Sequence, residues 1–444
     1  VNIKMKRRSR YAAVSLTAAL ILSACSSGPS SSSGPSSSSG PSSSSSLSGQ
    51  TINLSLSHHA WTTSLQTFIG DFTTETGIKV DVNVYDDAQQ ATLYNVKLNA
   101  GSSDIDVLMF RPLQNTQQFT QNGWFADLTK YVNASTDWNW NDFWQSARDS
   151  VTVNNKIIGV PLVSETGVLY YRKDLLAETG MPYPKTMDDL KAVVAKIHEL
   201  HPDIFAFAGR GEVSAAVTQF SSFLYSMGGN WTDGKGNSTI NSDAAKAAYK
   251  LYGGLIHDYG PPGETDMNWP QVMGLLQQGL VAFYPEASSN YDSAVDPTQS
   301  KVADQIGVGP IPAGPAGSKP YNITAMALGI SAFSKHKDAA WAFIKWATNQ
   351  ANSLTIQEAG VPGARTSVWN DPKGTSTLAP DLLATIQGNS KIGVGYDRPQ
   401  VVNVDQARQI VGAPIVAAIQ GGDSNAVADQ ANSDFQALLD GQAK

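Results

Sequence analysis

Cysteine is nearly absent: the 444-residue chain has one, Cys25. A single thiol excludes an intramolecular disulfide and any cysteine-based metal cluster. Catalytic signatures are missing too. There is no G-x-S-x-G elbow, no Walker-type phosphate loop and no Cys/His pair. His198 and His201 stand in HELH, whereas a zinc-protease helix needs HExxH with its imidazoles at i and i+4. The i, i+3 spacing here turns Glu199 elsewhere. His58 and His59 are neighbours on an extended segment and point to opposite faces. Neither a metal nor a cofactor is implied. Positive charge is also in short supply, with 31 Lys and Arg against 38 Asp and Glu, a net charge of −7. Lys4, Lys6, Arg7, Arg8 and Arg10 crowd the first ten residues, and without these five the balance falls to −12. So acidic a body is a poor partner for nucleic acid. Beyond the N-terminal segment no apolar run approaches the roughly 20 residues that a membrane helix needs.

What is present begins at that N-terminal segment. The basic stretch precedes an apolar run at 11–24, YAAVSLTAALILSA. This is the layout of a secretory signal peptide covering 1–24, and the run is too short to span a bilayer. Leu22-Ser23-Ala24-Cys25 resembles the lipobox of bacterial lipoproteins, in which the cysteine is lipidated and becomes the first mature residue. The resemblance implies palmitate-type acyl chains on Cys25 and an anchor on the extracellular face of the cytoplasmic membrane. Each buried CH₂ contributes about 0.8 kcal/mol, so two or more chains anchor stably. Residues 25–49 are rich in Ser, Gly and Pro. Such composition buries no core and reads as a leash. The remaining chain is long for a single core, and two lobes are expected.

Residues 51–57, TINLSLS, and 78–85, IKVDVNVY, alternate apolar and polar residues as strands do. Between them 61–76 carries helical spacing, with Leu65, Phe68, Ile69 and Phe72 on one face. A short helix at 91–100 and a buried strand at 105–110, IDVLMF, follow. The order β-α-β-α-β implies a parallel-rich sheet with helices on its faces, an α/β fold. Further strands are expected at 167–171, 281–284 and 325–331. Helices are expected at 173–180, 187–201, 244–257, 272–279, 337–351, 378–387, 405–420 and 425–439. The stretch 307–320, GVGPIPAGPAGSKP, reads as a loop.

Several segments, in order, resemble the extracellular solute-binding proteins of carbohydrate ABC importers (family 1), especially the branch serving polyols and glucosides. The segments are GSSDIDVLMFRP at 101–112, VPLVSETGVLYYRKDLLAETGM at 160–181 and PKTMDDL at 184–190. SKHKDAAWAFIKWATNQ at 334–350 and GVPGARTSVWNDP at 360–372 complete the series. The resemblance covers nearly all of 50–444. It implies a two-lobed periplasmic-binding-protein-like fold with hinge crossovers near 164, 325 and 367. Lobe 1 would take 50–164 and 325–368, and lobe 2 would take 165–324 and 369–444. It further implies a monomer that does no chemistry, holds a sugar, oligosaccharide or polyol between its lobes and hands it to permease subunits. A lipid-anchored carbohydrate-active enzyme and a structural surface lipoprotein stay open as alternatives. Two carboxylates about 5–10 Å apart would suffice for a glycosidase.

A polyhydroxylated ligand calls for aromatic faces and for Asp, Glu, Asn or Arg as hydrogen-bonding partners. In an α/β fold these belong in loops beyond the C-terminal ends of parallel strands. That rule selects Trp61 after the first strand, Asp86 and Asp87 after the second, and Arg111 after the third. It also selects Arg210 in AGRGEV and Glu286 after VAFY, while Asn322 is a candidate because it precedes a crossover that the resemblance implies. The resemblance adds Glu165, where relatives place a ligand-binding carboxylate at the hinge. It also adds Arg365 in the GVPGARTS loop, and Tyr396 and Arg398 in GYDRP. One departure from the family stands out. Relatives often carry a stacking Trp within the stretch matching 282–290, AFYPEASSN, and here there is none. Trp341 and Trp346, five apart on an amphipathic helix, are expected in the core.

Overall fold

The computed structural model describes residues 47–442, apart from the side chains of Asp87 and Ala88. The signal peptide, Cys25 and nearly all of the linker lie outside the described residues. Among the described residues no helix is long and apolar enough to cross a membrane.

Among the described residues ten strands carry the fold: β1 (Thr51–Ser57), β2 (Lys79–Tyr85), β3 (Val107–Phe110), β4 (Thr152–Val153), β5 (Lys156–Ile157), β6 (Val160–Arg172), β7 (Phe205–Phe207), β8 (Val281–Ala287), β9 (Ile306–Gly309) and β10 (Asn322–Ile330). Eight of them form one sheet in the order β2-β1-β3-β10-β6-β8-β7, with β9 also on β6. β1 pairs in parallel with β2 and β3, and β7 pairs in parallel with β8. These are the two parallel-paired parts of the sheet. Antiparallel β6 and β10 join them. β6 is the long member. Its first half pairs with β10 and its second half with β8 and β9, so it runs unbroken from one half of the sheet into the other. The register of β10 slips between Thr324 and Met326, leaving Ala325 unpaired. Such a bulge bends a strand where it occurs.

Side-chain alternation puts core on both faces. In β1, Ile52, Leu54 and Leu56 join Val107 and Met109 of β3 in the largest apolar cluster, which also holds Trp341 and Phe343. Leu108 and Phe110 point the other way, onto Tyr94, Phe119 and Trp124. Further along, Val168 and Tyr170 enter the first cluster while Leu169 enters a second, with Leu190, Val193, Val194 and Ile197. Those four form the inward stripe of the helix Met187–Leu200, whose start is fixed by a reciprocal cap. Thr186 Oγ1 accepts the Asp189 N–H at 3.1 Å, and Asp189 Oδ2 accepts the Thr186 N–H at 2.9 Å.

Two expected helices are broken. Residues 61–76 form Ala60–Gln66 and Ile69–Thr76, with Phe68 between them at φ −134°. Its ring lies 5.6 Å from that of Trp346. Residues 337–351 end at Ala347, and Asn349 caps a new helix, Gln350–Glu358, by accepting the Asn352 N–H. The expected loop at 307–320 begins as strand β9. The helices Pro112–Gln121 and Val213–Ser226 were not anticipated from periodicity.

Candidate functional site

β8 ends at Ala287, and the residue before it, Glu286, is 1 % exposed. Its carboxylate is held on every side. Arg210 Nε donates to Oε2 at 2.9 Å and Arg210 Nη2 donates to Oε1. Gln219 Nε2 and the Tyr284 hydroxyl also donate to Oε2, and the Ala287 N–H donates to Oε1 at 2.7 Å. This fork-to-fork pairing is the strong form of the Arg–carboxylate bond. Burial works against the charge of Arg210, but the adjacent Glu286 carboxylate outweighs it and raises the guanidinium above its ordinary value. Gln219 ties backbone to side chain, since its Oε1 accepts the Arg210 N–H at 2.6 Å.

Glu165 lies midway along β6, half-buried, at the point where the strand changes partners. Burial raises its carboxyl above the usual value and Glu286 adds to the rise, while a hydrogen bond to Ser289 and the charge of Arg210 oppose it. Asp397 also acts on Glu165. Asp397 is wholly buried and accepts from Arg398 Nε and Nη2 and from Thr218 Oγ1. Burial would raise its carboxyl, but Arg398 overcomes this and holds it at about 2. Tyr396 is half-buried. It joins Leu113, Tyr321 and Ile323 in a small apolar cluster, and its hydroxyl exchanges hydrogen bonds with Asn230. Leu113 follows Arg111, which caps the helix Pro112–Gln121. Thus Glu165, Arg210, Glu286 and Arg398 are brought together, and the segment after Arg111 reaches the Tyr321–Tyr396 side.

Four expected site residues are placed otherwise. Trp61 is 2 % exposed and packs in the main core, so it offers no open face for stacking. Arg365 is 2 % exposed and fully engaged. It donates to the carbonyls of Thr348, Trp138 and Asn139 and to Asp142 Oδ2, and lies 4.1 Å from the ring centre of Phe143. Each of its three guanidinium nitrogens thus has a protein partner. Asn322 is 1 % exposed and donates to Ser146 Oγ, under the Gly393 backbone. Asp86 is exposed at the start of the helix Asp87–Asn99, 3.9 Å from His58 Nε2, a solvated capping position. Asp87 opens that helix.

The cavity beside this cluster is lined by residues that were not anticipated. About 310 Å³ in volume, it is bounded by Ser288, Ser289, Tyr291, Asp292, Gln357 and Trp369, among others. Ser289 connects it to Glu165. Ser288 anchors the same corner, its hydroxyl accepting the Thr166 N–H at 3.2 Å. Trp369 is fixed by its Nε1 bond to the Gly363 carbonyl and by stacking on Trp144 at 5.5 Å. The C-terminal-end rule would have found Ser288 and Ser289, since β8 pairs in parallel with β7; no local signal separates Trp369 from a core Trp. A larger groove of about 1080 Å³ runs between the helices Met187–Leu200 and Asp243–Tyr259; no member of the cluster lines either space, and the smaller cavity adjoins the cluster through Ser289. Among the described residues no group of His, Cys, Asp and Glu could hold a metal ion. The arrangement offers fixed donors and acceptors beside the partly exposed ring of Tyr291, while Trp369, 3 % exposed, closes the cavity wall from the core.

The mannitol-binding protein of Pseudomonas aeruginosa is 27% identical over 319 residues, 67% of this chain and 72% of its own length. The erythritol/L-threitol-binding protein of Mycolicibacterium smegmatis is 26% identical over 384 residues, 81% of this chain and 80% of its own. In fold, the chain is similar to an ABC transporter solute-binding protein from Agrobacterium radiobacter solved with ribitol. That likeness has a TM-score of 0.72 and 24% identity, over 88% of this chain and 99% of that one. Residues 57–353 match the family described as bacterial extracellular solute-binding protein, and the chain belongs to that family.

Proposed function

We propose that the protein captures a sugar or polyol at the Glu165 site and delivers it to the permease of an ABC importer. The observation that carries this reading is the array of Glu165, Ser289 and the Arg210–Glu286 pair next to a cavity faced by the partly exposed ring of Tyr291. Carboxylate and guanidinium groups match ligand hydroxyls, and aromatic rings match the C–H faces of a sugar. About 310 Å³ is at the small end of ligand pockets and favours a single sugar or alditol. The names of the mannitol- and erythritol-binding relatives support the same ligand class. A binding role, rather than hydrolysis, is supported by Glu286. Its oxygens already accept five hydrogen bonds, which leaves neither oxygen free to attack a substrate. The lobe limits at 164/165, 324/325 and 368/369 belong to this proposal. So do the monomeric state and an anchor through lipid on Cys25, on the outer face of the cytoplasmic membrane.

A thermal-shift panel of alditols, mono- and disaccharides and amino acids tests it. A ligand at 100 times its Kd adds about 2.7 kcal/mol to the folded state. A single class of polyols or sugars should raise Tm, and Glu165→Gln should weaken that hit about tenfold, since a hydrogen bond to a charged group contributes about 1.5–3 kcal/mol. Stabilisation by amino acids alone would refute the ligand class. Unchanged affinity in Glu165→Gln would remove that residue from the site.

A further inference from the structure

Behind the loop that presents Arg210 lies a carboxyl group that the ligand site does not use. Glu264 stands on the turn Glu264–Asp266 and is 3 % exposed. Its Oε1 accepts the Gly209 N–H, while Oε2 is buried without a hydrogen-bond partner. The backbone around it is closely fitted. A Cβ on Gly211 would stand 2.3 Å from the Glu264 carbonyl oxygen, and one on Gly260 would stand 2.5 Å from Oε2. Next to it, the Met267 carbonyl accepts the N–H groups of Gly211 and Glu212 at 3.1 and 3.0 Å. From the opposite side the Tyr252 hydroxyl donates to the Arg210 carbonyl at 3.1 Å.

We infer that Glu264 is a positioning residue for Arg210: its carboxyl group fastens the 209–211 loop and so sets the angle at which the guanidinium meets Glu286 and the ligand. This rests on the reading of Arg210 as part of the ligand site. Among the described residues Glu264 makes no ion pair, and the charged groups on the elements around it are engaged or exposed. Arg210 turns its guanidinium onto Glu286. Arg408, on the helix Val404–Ile419 that packs against the turn, donates to the Ser214 carbonyl and Thr218. On the helix Asp243–Tyr259, His257 and Asp258 are exposed and Tyr252 is a buried neutral hydroxyl; Asp266, on the same turn, is exposed. Burial pushes the Glu264 carboxyl up to about 9, against the pull of the Gly209 N–H. It therefore keeps its proton at neutral pH. Ionisation would leave a bare charge in a dry site, and the loop would open to hydrate it.

The sign of the pH effect follows. The folded chain holds a proton that the unfolded chain releases above the ordinary Glu value, about 4.3. The contribution of Glu264 to stability therefore falls as pH rises, by up to tenfold in the unfolding equilibrium per pH unit, until about 9. Glu264→Gln keeps the acceptor and cannot ionise. The test uses the full chain in three forms: wild type, Glu264→Gln and Glu264→Ala. Hydrogen exchange of the 205–212 peptide at pH 7 should be at least tenfold faster in Glu264→Ala and near wild type in Glu264→Gln. Between pH 5 and 9 the wild-type Tm should fall relative to that of Glu264→Gln. Titration with ribitol and D-mannitol should show at least a tenfold loss of affinity in Glu264→Ala and recovery in Glu264→Gln. Equal exchange in all three forms, or parallel pH profiles for wild type and Glu264→Gln, would overturn the inference, and the latter comparison holds even if Glu264→Ala fails to fold. If the wild type binds neither polyol while the exchange and pH results hold, Glu264 still anchors the loop, and it is the polyol reading that fails.

Discussion

Replacing Arg365 by Ala should cost stability rather than affinity, and its surroundings set the size of the loss. Burial lowers the guanidinium below its ordinary value, with Asp142 opposing that fall. Truncation removes the partner of Asp142 Oδ2 at 2.9 Å and strips the Thr348 and Trp138 carbonyls of their Arg365 donors. The Asn139 carbonyl keeps a second donor, the Asp142 N–H. The Asp142 carboxylate, 10% exposed, is left without its cation, although the Ser367 N–H and hydroxyl still donate to it. Breaking a buried pair on one side costs about 3–5 kcal/mol. Unfolding entropy of about 2.1 cal/mol/K per residue converts this to a fall in Tm of roughly 4–6 °C for a folded body of this size. Differential scanning calorimetry measures it, and titration of whichever ligand the thermal panel yields measures affinity beside it. Arg365→Met combined with Asp142→Leu should recover part of the loss, because no lone charge remains. A Tm within a degree of wild type, together with a tenfold loss of affinity, would refute the reasoning and return Arg365 to the ligand site.

Two further outcomes are expected. Asp397, held at about 2 by Arg398 against its own burial, contributes stability that is present above its unfolded value near 4 and is lost as pH falls to about 2. In calorimetry at pH 2–5, wild type should lose about 2–3 kcal/mol across that window and Asp397→Asn should not; matching acid limbs would exclude the pair as their cause. Cys25→Ala should release the protein from membranes in cell fractionation, and normal lipid labelling of that variant would refute the anchor.

Much of the sheet was legible because alternation and burial coincide: TINLSLS and the strand at Lys79–Tyr85 read as they fold. The helix Val213–Ser226 was not, because every residue from 215 to 226 is buried and a helix buried all round shows no amphipathic stripe. For the site, Glu165, Arg210, Glu286 and Arg398 stood out as charged residues at the hinge, at strand ends or in family loops, and they do converge. Trp61 and Arg365 met similar criteria yet turn into the core. A position at a strand end names a place in the chain, whereas the direction of a side chain depends on partners such as Phe143 and Asp142, which are distant in sequence.

The single strand β6 has a mechanical consequence. At about 3.3 Å per residue, the stretch from Glu165 to Arg172 is an arm of roughly 23 Å, with the Glu165 carboxylate at one end. A turn of about 10° at that end swings the far end by about 4 Å. Under the proposed reading of Glu165, a solute that turned the strand there would move its far end by more than it moved the carboxylate.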